Sequence, residues 1–219
     1  MEHVHVILCD FDYTLADSSE GVIECVNAAL ESTGYPPAHP QSVRRMIGAS
    51  LDETFRSFLP DIDLKTLSCC KTIFLEKAES GLMVESTYML EGVIDTLESL
   101  FDNVYTLGVV STKRRSTIEK ILNRHGLEEL FEAVVGSEDV RQTKPHPESL
   151  LNAMTQLEAT PEETVYVGDH IYDIQAAKAA GLRVIAVASG PTSKADLVAA
   201  GPNHLIDRFS ELQKVFNLV

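Results

Sequence analysis

The stretch Val4-His-Val-Ile-Leu-Cys-Asp-Phe-Asp-Tyr-Thr-Leu-Ala-Asp17 decides how this chain is read. From Val4 to Cys9 it is almost wholly apolar and β-branched, the texture of a strand buried on both faces of a parallel sheet. The run ends abruptly at Asp10-Phe-Asp12. Carboxylates two apart on a regular strand share a face, yet the turn residues that follow argue against a strand that simply continues. Asp10 and Asp12 can therefore act together, at the point where the chain leaves the sheet near Phe11, which Tyr13-Thr14 permits.

Downstream of that stretch the texture becomes helical. Val22, Val26 and Leu30 mark one helical face, with Gly34 as its stop and Pro36-Pro37 beyond. Leu64, Leu67, Phe74, Leu75 and Ala78 mark another, and no strand is expected between Ser18 and Ser80. Helix–strand alternation resumes after Gly81. Val93, Leu97, Leu100 and Phe101 line a helix before a strand at Tyr105–Val110. Ile118, Ile121, Leu122 and His125 line the next helix, which Gly126 ends, before a strand at Ala133–Val135. Pro147 opens a helix with Leu150, Leu151, Met154 and Leu157 inward. Thr160-Pro-Glu-Glu163 has the form of a capping box with proline at the first helical position. Strands at Val165–Val167 and Val184–Val187 flank an alanine-rich helix ending at Gly181. A strand near His204–Ile206 and a short helix follow.

Repeated strand–helix units imply an α/β fold, a doubly wound parallel sheet of Rossmann-like type. The helical block interrupting it reads as an insert. The expected division is a core formed by residues 1–15 and 86–219 and an all-helical cap at 16–85, with hinges near Thr14–Asp17 and Gly81–Met89.

Composition narrows the function. The 219 residues are 44% hydrophobic and 23% charged, as in soluble globular proteins. Net charge is −15, from 33 acidic and 18 basic residues, which disfavours nucleic acid and anionic membranes as partners. No apolar run reaches membrane-span length, and the first ten residues lack a signal peptide's basic start. Cys9, Cys25, Cys69 and Cys70 form no CxxC pair or disulfide framework, so a cytoplasmic location is expected.

In open parallel sheets, ligands bind at the carboxyl ends of the strands. Collected there are Asp10 and Asp12, Ser111-Thr112-Lys113 after the second strand, Lys144-Pro145 after the third, and Asp169 and Asp173 after the fourth. Several carboxylates at one edge repel one another, and a hard divalent ion such as Mg²⁺ relieves that. The ion and Lys144 would also let an anionic phosphate approach an acidic protein. A carboxylate needs no base to act as a nucleophile, and its acyl phosphate is open to water. Asp12 would supply general acid–base assistance, typically worth about 10²–10⁴ in rate.

Asp10-Phe-Asp-Tyr-Thr-Leu-Ala-Asp-Ser18, Ser111-Thr-Lys113, Lys144-Pro145 and Gly168-Asp-His-Ile-Tyr-Asp173 resemble, in order and spacing, the four motifs of the haloacid dehalogenase-like hydrolases. The resemblance implies a Mg²⁺-dependent phosphatase with Asp10 as nucleophile and metal ligand. Asp12 would be the acid–base and lend the metal its backbone carbonyl. Ser111 (or Thr112) and Lys144 would hold the transferring phosphoryl group. Asp169 would bind the metal directly, and Asp173 directly or through water. Dehalogenases and the phosphonate-cleaving branch lack an aspartate at the position of Asp12. Arg44-Arg-Met-Ile-Gly48 is similar to the substrate loop of the phosphoglycolate phosphatase-like branch, which adds Arg44, Arg45 and Gly48, with Thr112 and Lys113, as substrate-binding candidates. Tyr13 stands where that family usually has glycine. Phosphoglycolate leads by resemblance as the small phosphorylated metabolite, acted on by a monomer or homodimer.

Rival readings are a β-phosphoglucomutase-like phosphomutase, a pyrophosphatase or nucleotidase of the same superfamily, a phosphoacceptor domain and a silent binding module. A phosphoacceptor domain would lack the helical insert and carry its aspartate on a later strand. His170 is expected to be a turn residue rather than a ligand, Asp169 a possible helix N-cap as well, and Cys69-Cys70 a chance pair.

Overall fold

The computed structural model describes residues 3–218 and divides into two compact units, one formed by the chain up to Ala16 and from Met89 onward, the other by Asp17–Tyr88. Among the described residues there are eight strands: β1 (Val6–Cys9), β2 (Ala16–Asp17), β3 (Tyr88–Met89), β4 (Thr106–Val110), β5 (Ala133–Val135), β6 (Thr164–Gly168), β7 (Arg183–Val187) and β8 (His204–Ile206). Eleven α-helices accompany them: α1 (Ser19–Ser32), α2 (Pro40–Arg44), α3 (Leu51–Phe58), α4 (Leu64–Lys77), α5 (Met83–Glu85), α6 (Val93–Asp102), α7 (Arg115–His125), α8 (Glu148–Gln156), α9 (Ile171–Ala179), α10 (Lys194–Ala200) and α11 (Leu212–Val215).

The larger unit is built on a six-stranded sheet of order β5-β4-β1-β6-β7-β8, with every neighbouring pair parallel. Its central strand, β1, is buried at all four residues because both faces are covered, and this explains the uninterrupted apolar run. Leu8, Val110, Tyr166, Val184 and Ala186 join Leu150, Met154 and Ile174 in one core layer. Ile7, Cys9, Val109, Val165, Val167 and Ile185, on the alternate face, are fully buried too. The α/β doubly wound reading holds. Gly126, with φ 68°, ends α7 in the left-handed conformation that a side chain disfavours.

The smaller unit is helical. Its core joins Cys25, Val26, Leu30, Phe55, Leu67 and Phe74 across α1, α3 and α4, with the rings of Phe55 and Phe74 edge-on at 6.5 Å. Ser50 and Glu53 form a capping box at the start of α3. After α4 the helix widens at Ala78–Leu82, where Gly81 has φ 104°, before α5. Among the described residues no helix is long and apolar enough to cross a membrane.

Several expectations are corrected. The first strand begins at Val6 rather than Val4. The Glu163 carboxylate accepts from the Thr160 N–H, half of a capping box, and from the Thr160 hydroxyl, but no helix follows, because Thr164 enters β6 directly after a tight turn. Leu64, Phe101 and Leu151 face solvent: Phe101 and Leu151 lie one position off their helices' buried stripes, and Leu64 is the first residue of α4. Asp169 is not the N-cap of α9. That place belongs to His170, whose Nδ1 accepts from the Tyr172 N–H.

Candidate active site

Strand register brings the candidate residues together. β1 lies between β4 and β6, with Cys9 opposite Val109 on one side and Val167 on the other. Asp10, the next residue, still donates its N–H to Val167 O at 2.8 Å. Ser111 and Asp169 leave the sheet at the same edge, one strand away on each side. The chain then departs: Phe11 bends, Tyr13 takes a left-handed φ of 58°, and Leu15 N–H returns to Phe11 O. Asp10 and Asp12 both stand at this point of departure.

Lys144 lies at its centre. Its ammonium donates to Asp10 Oδ1 at 2.8 Å, Asp173 Oδ1 at 2.6 Å and the Tyr166 hydroxyl at 2.8 Å, with Val110 O farther away at 3.4 Å. The second lysine, Lys113, pairs with Asp12 Oδ2 at 3.1 Å, the two side chains only 8% and 7% exposed. Ser111 is buried and accepts from the Lys113 N–H, while Thr112 is half-buried beside them.

Asp10, Asp169 and Asp173 are each no more than 2% exposed, and one carboxylate oxygen from each lies within 4.8 Å of the others. Burial pushes the Asp10 carboxyl up to about 7; Lys144 opposes the rise, and Asp173 and Asp12 add to it. Asp169 is raised well above the carboxylate range by burial, then by Asp173 and Asp10, against Lys144 and the Thr14 hydroxyl. Burial alone would lower Lys144, but the carboxylates of Asp10 and Asp173 outweigh it and hold the ammonium above its ordinary range. Burial, then the charge of Asp10, pushes the Cys9 thiol far up, which makes it unreactive.

The donor set suits a hard divalent cation. Four buried carboxylates (Asp10, Asp12, Asp169, Asp173) face two ammonium groups, an excess of two negative charges that one such ion neutralises. All the candidate ligand atoms are oxygens. Asp173 is the most committed of them: Oδ1 accepts from Lys144 and Oδ2 from the His170 N–H at 2.9 Å.

Three contributors escaped the sequence reading. Tyr166 touches Lys144, Asp173 and Val110 O, and the available signal was a tyrosine inside a fully buried strand, where a hydroxyl must find a partner. Thr14 donates to Asp169 Oδ1 at 3.2 Å, with no sequence signal beyond its place in the turn. Gly190, after β7, passes so close that a Cβ there would sit 1.8 Å from Asp169 Oδ2. Next to it, the Ser189 hydroxyl donates to Tyr13 O.

Arg44, Arg45 and Gly48 lie in the helical unit. Arg44 bonds the Ser19 hydroxyl and lies 4.0 Å from Asp17, Arg45 is exposed, and Gly48 has φ 100°.

A parallel sheet with a buried carboxylate–lysine cluster at its carboxyl edge accords with a hydrolase. The model of the haloacid dehalogenase-like hydrolases matches residues 7–187, and this chain belongs to that family. A pyrophosphatase PpaX of Bacillus mycoides is 32% identical over 216 residues, covering 99% of this chain and 98% of its own. The pyrophosphatase PpaX of Bacillus pumilus is 33% identical, covering 95% and 94%. Among solved structures, a haloacid dehalogenase-like hydrolase from Bacteroides fragilis superposes with a TM-score of 0.91 at 34% identity, covering 95% of this chain and 99% of its own. A predicted phosphoglycolate phosphatase from Haemophilus somnus shares the fold, with a TM-score of 0.85 at 24% identity, covering 99% of each chain.

Proposed function

We propose that this hydrolase is a Mg²⁺-dependent phosphatase that passes the phosphoryl group of a small phosphorylated compound to Asp10 and then to water. The observation that carries this reading is the Asp10 carboxylate held at 2.8 Å by the buried Lys144, beside a second carboxylate–lysine pair, Asp12–Lys113.

An Asp10 oxygen attacks phosphorus, and the bond from phosphorus to the leaving oxygen breaks. Asp12 gives its proton to that oxygen. In the second half, Asp12 takes a proton from water, whose oxygen displaces the Asp10 carboxylate and frees phosphate. Lys144 and Ser111 hold the phosphoryl oxygens, and Thr112 assists them. Asp10, Asp169 and the backbone carbonyl of Asp12 would hold the metal, with Asp173, whose oxygens already accept from Lys144 and His170, supporting it through water. When bound, the ion supplies positive charge that neutralises the carboxylates and the transferring phosphoryl group.

Inorganic pyrophosphate is the first substrate to test, ahead of phosphoglycolate. It is favoured by relatives of that name at 32–33% identity along nearly the whole chain. Lys113, beside Asp12, sets a positive charge where the leaving group departs, which suits an anionic one. The helical unit is assigned the role of cap, with Arg45 and Gly48 as substrate contacts and Arg44 braced on Ser19. A cytoplasmic enzyme accords with four cysteines that form no disulfide among the described residues.

The test is phosphate release from pyrophosphate, phosphoglycolate, sugar phosphates and nucleoside monophosphates, with Mg²⁺ or EDTA, by wild type and Asp10→Asn. Metal-dependent release that Asp10→Asn abolishes is expected. Release that survives in Asp10→Asn would overturn the covalent route.

A further inference from the structure

We infer that Tyr166 is a positioning residue for Lys144, fixing the ammonium so that only one of its three N–H donors is left to follow the phosphoryl group. The inference rests on the proposed role of Lys144.

Tyr166 lies at the middle of β6, in the core layer formed with Leu8, Val110 and Leu150, and is fully buried. Strand and sheet need only an apolar side chain there. A hydroxyl in that layer costs free energy unless it is bonded, and each of its bonds goes to the candidate site. It accepts from Lys144 Nζ at 2.8 Å. Its own proton has Val110 O at 2.9 Å and Asp173 Oδ1 at 3.2 Å in reach. Val110 immediately precedes Ser111, so the hydroxyl links Lys144 to the backbone that sets the other phosphoryl-holding residue.

The ammonium has three N–H donors and no acceptor. In the structure they point at Asp10, Asp173 and Tyr166, all within 2.8 Å. During transfer Asp10 becomes bonded to phosphorus, so the donor now on Asp10 is the one that turns to a phosphoryl oxygen. The other two must hold still for that turn to have a direction. Asp173 supplies one fixed bond and Tyr166 the second. Without the hydroxyl, that buried N–H keeps only Val110 O, 3.4 Å away, and the ammonium is held closely by a single remaining bond.

The experiment compares wild type, Tyr166→Phe and Asp10→Asn with p-nitrophenyl phosphate and Mg²⁺, and measures orthovanadate binding with Mg²⁺ by calorimetry. Tyr166→Phe removes one oxygen and keeps the ring. It is expected to lower kcat roughly tenfold to a hundredfold, as loss of an outer-shell partner typically does, with KM within about threefold. Orthovanadate, which mimics the transferring group, should weaken by a similar factor while still binding once per chain. A merely structural role would lower the binding stoichiometry and leave the affinity unchanged, and that result would overturn the inference. Tyr166→Met is the second variant should Tyr166→Phe not fold, with the same loss expected; failure of both to fold would assign Tyr166 to the core alone and overturn it too. Activity surviving in Asp10→Asn would instead sink the proposed function itself.

Discussion

Replacing Lys144 by methionine keeps most of the side-chain volume and removes the cation that contacts both Asp10 and Asp173. Both partners are buried, and breaking such a pair typically costs 3–5 kcal/mol because the abandoned charge stays desolvated. The carboxylates have an escape: they can take up protons. The Asp10 carboxyl already holds its proton up to about pH 7 in the folded protein, against 3.8 for an ordinary aspartate. A raised folded value stabilises the fold below the unfolded value, and that contribution is lost as pH rises from about 4 through about 7. The interval corresponds to ~4 kcal/mol at ~1.4 kcal/mol per pH unit. Loss of Lys144 lifts Asp10 and Asp169 further, since the ammonium lowers both. The cost of Lys144→Met is therefore expected to reach roughly 3–5 kcal/mol at pH 8 and less than half that at pH 5. For a chain of this length it appears as a Tm loss of about 6–20 °C at pH 8. The assay is thermal unfolding in EDTA at both pH values, repeated with Mg²⁺, which should recover more of the loss in the variant at pH 8 than at pH 5 because metal and proton compete. An equal loss at both pH values would refute the idea that Lys144 balances ionised carboxylates.

Gly190→Ala places a Cβ 1.8 Å from Asp169 Oδ2, so the carboxylate must move; Mg²⁺ affinity by calorimetry should fall roughly tenfold to a hundredfold, and unchanged affinity would remove Asp169 from the metal site. Asp12→Ala should spare p-nitrophenyl phosphate, whose leaving group needs little protonation, far more than an alkyl phosphate; equal loss in kcat/KM on both would count against Asp12 as the acid. Ser149 carries the one buried side-chain polar atom without a hydrogen-bond partner among the described residues. Ser149→Ala should raise stability by up to about 1 kcal/mol in urea unfolding with activity unchanged, and a clear destabilisation would mean the hydroxyl has a partner in solution.

How much of this was legible in the sequence depended on whether a residue's role is local. The apolar run before Asp10 announced a doubly covered parallel strand, and the strand ends then collected Asp10, Ser111, Lys144 and Asp169 at one edge, because a parallel sheet puts all carboxyl ends together. Helix periodicity found α1, α4, α7 and α8, yet misplaced Phe101 and Leu151, each beside a buried stripe that only packing defines, and Leu64, at the exposed start of α4. The capping-box residues Thr160 and Glu163 bond as their spacing foretells, but a four-residue signal does not say whether a helix or a strand comes next. Tyr166, Thr14 and Gly190 were hidden for a different reason. Each acts on a carboxylate or lysine distant in the chain, as Thr14 does on Asp169 across 155 positions, and nothing in a neighbouring residue encodes that.

The charge arrangement explains how a protein of net charge −15 can accept an anion. The surface repels phosphate, so attraction has to be local and shielded from it. Two lysines are buried against four carboxylates, and Asp10 and Asp173 hold the Lys144 ammonium above its ordinary range, which leaves the cluster two positive charges short of neutral. Filling that shortfall with two more lysines would give a more stable apoprotein and a site closed to metal, since every carboxylate would already be paired. Leaving it unfilled costs stability, visible as Asp10 and Asp169 raised by burial and mutual repulsion. It also makes the site bind protons or a divalent ion in preference to nothing. The instability of the metal-free cluster and its affinity for a cation are then one property, and any substitution that relieves the first should weaken the second.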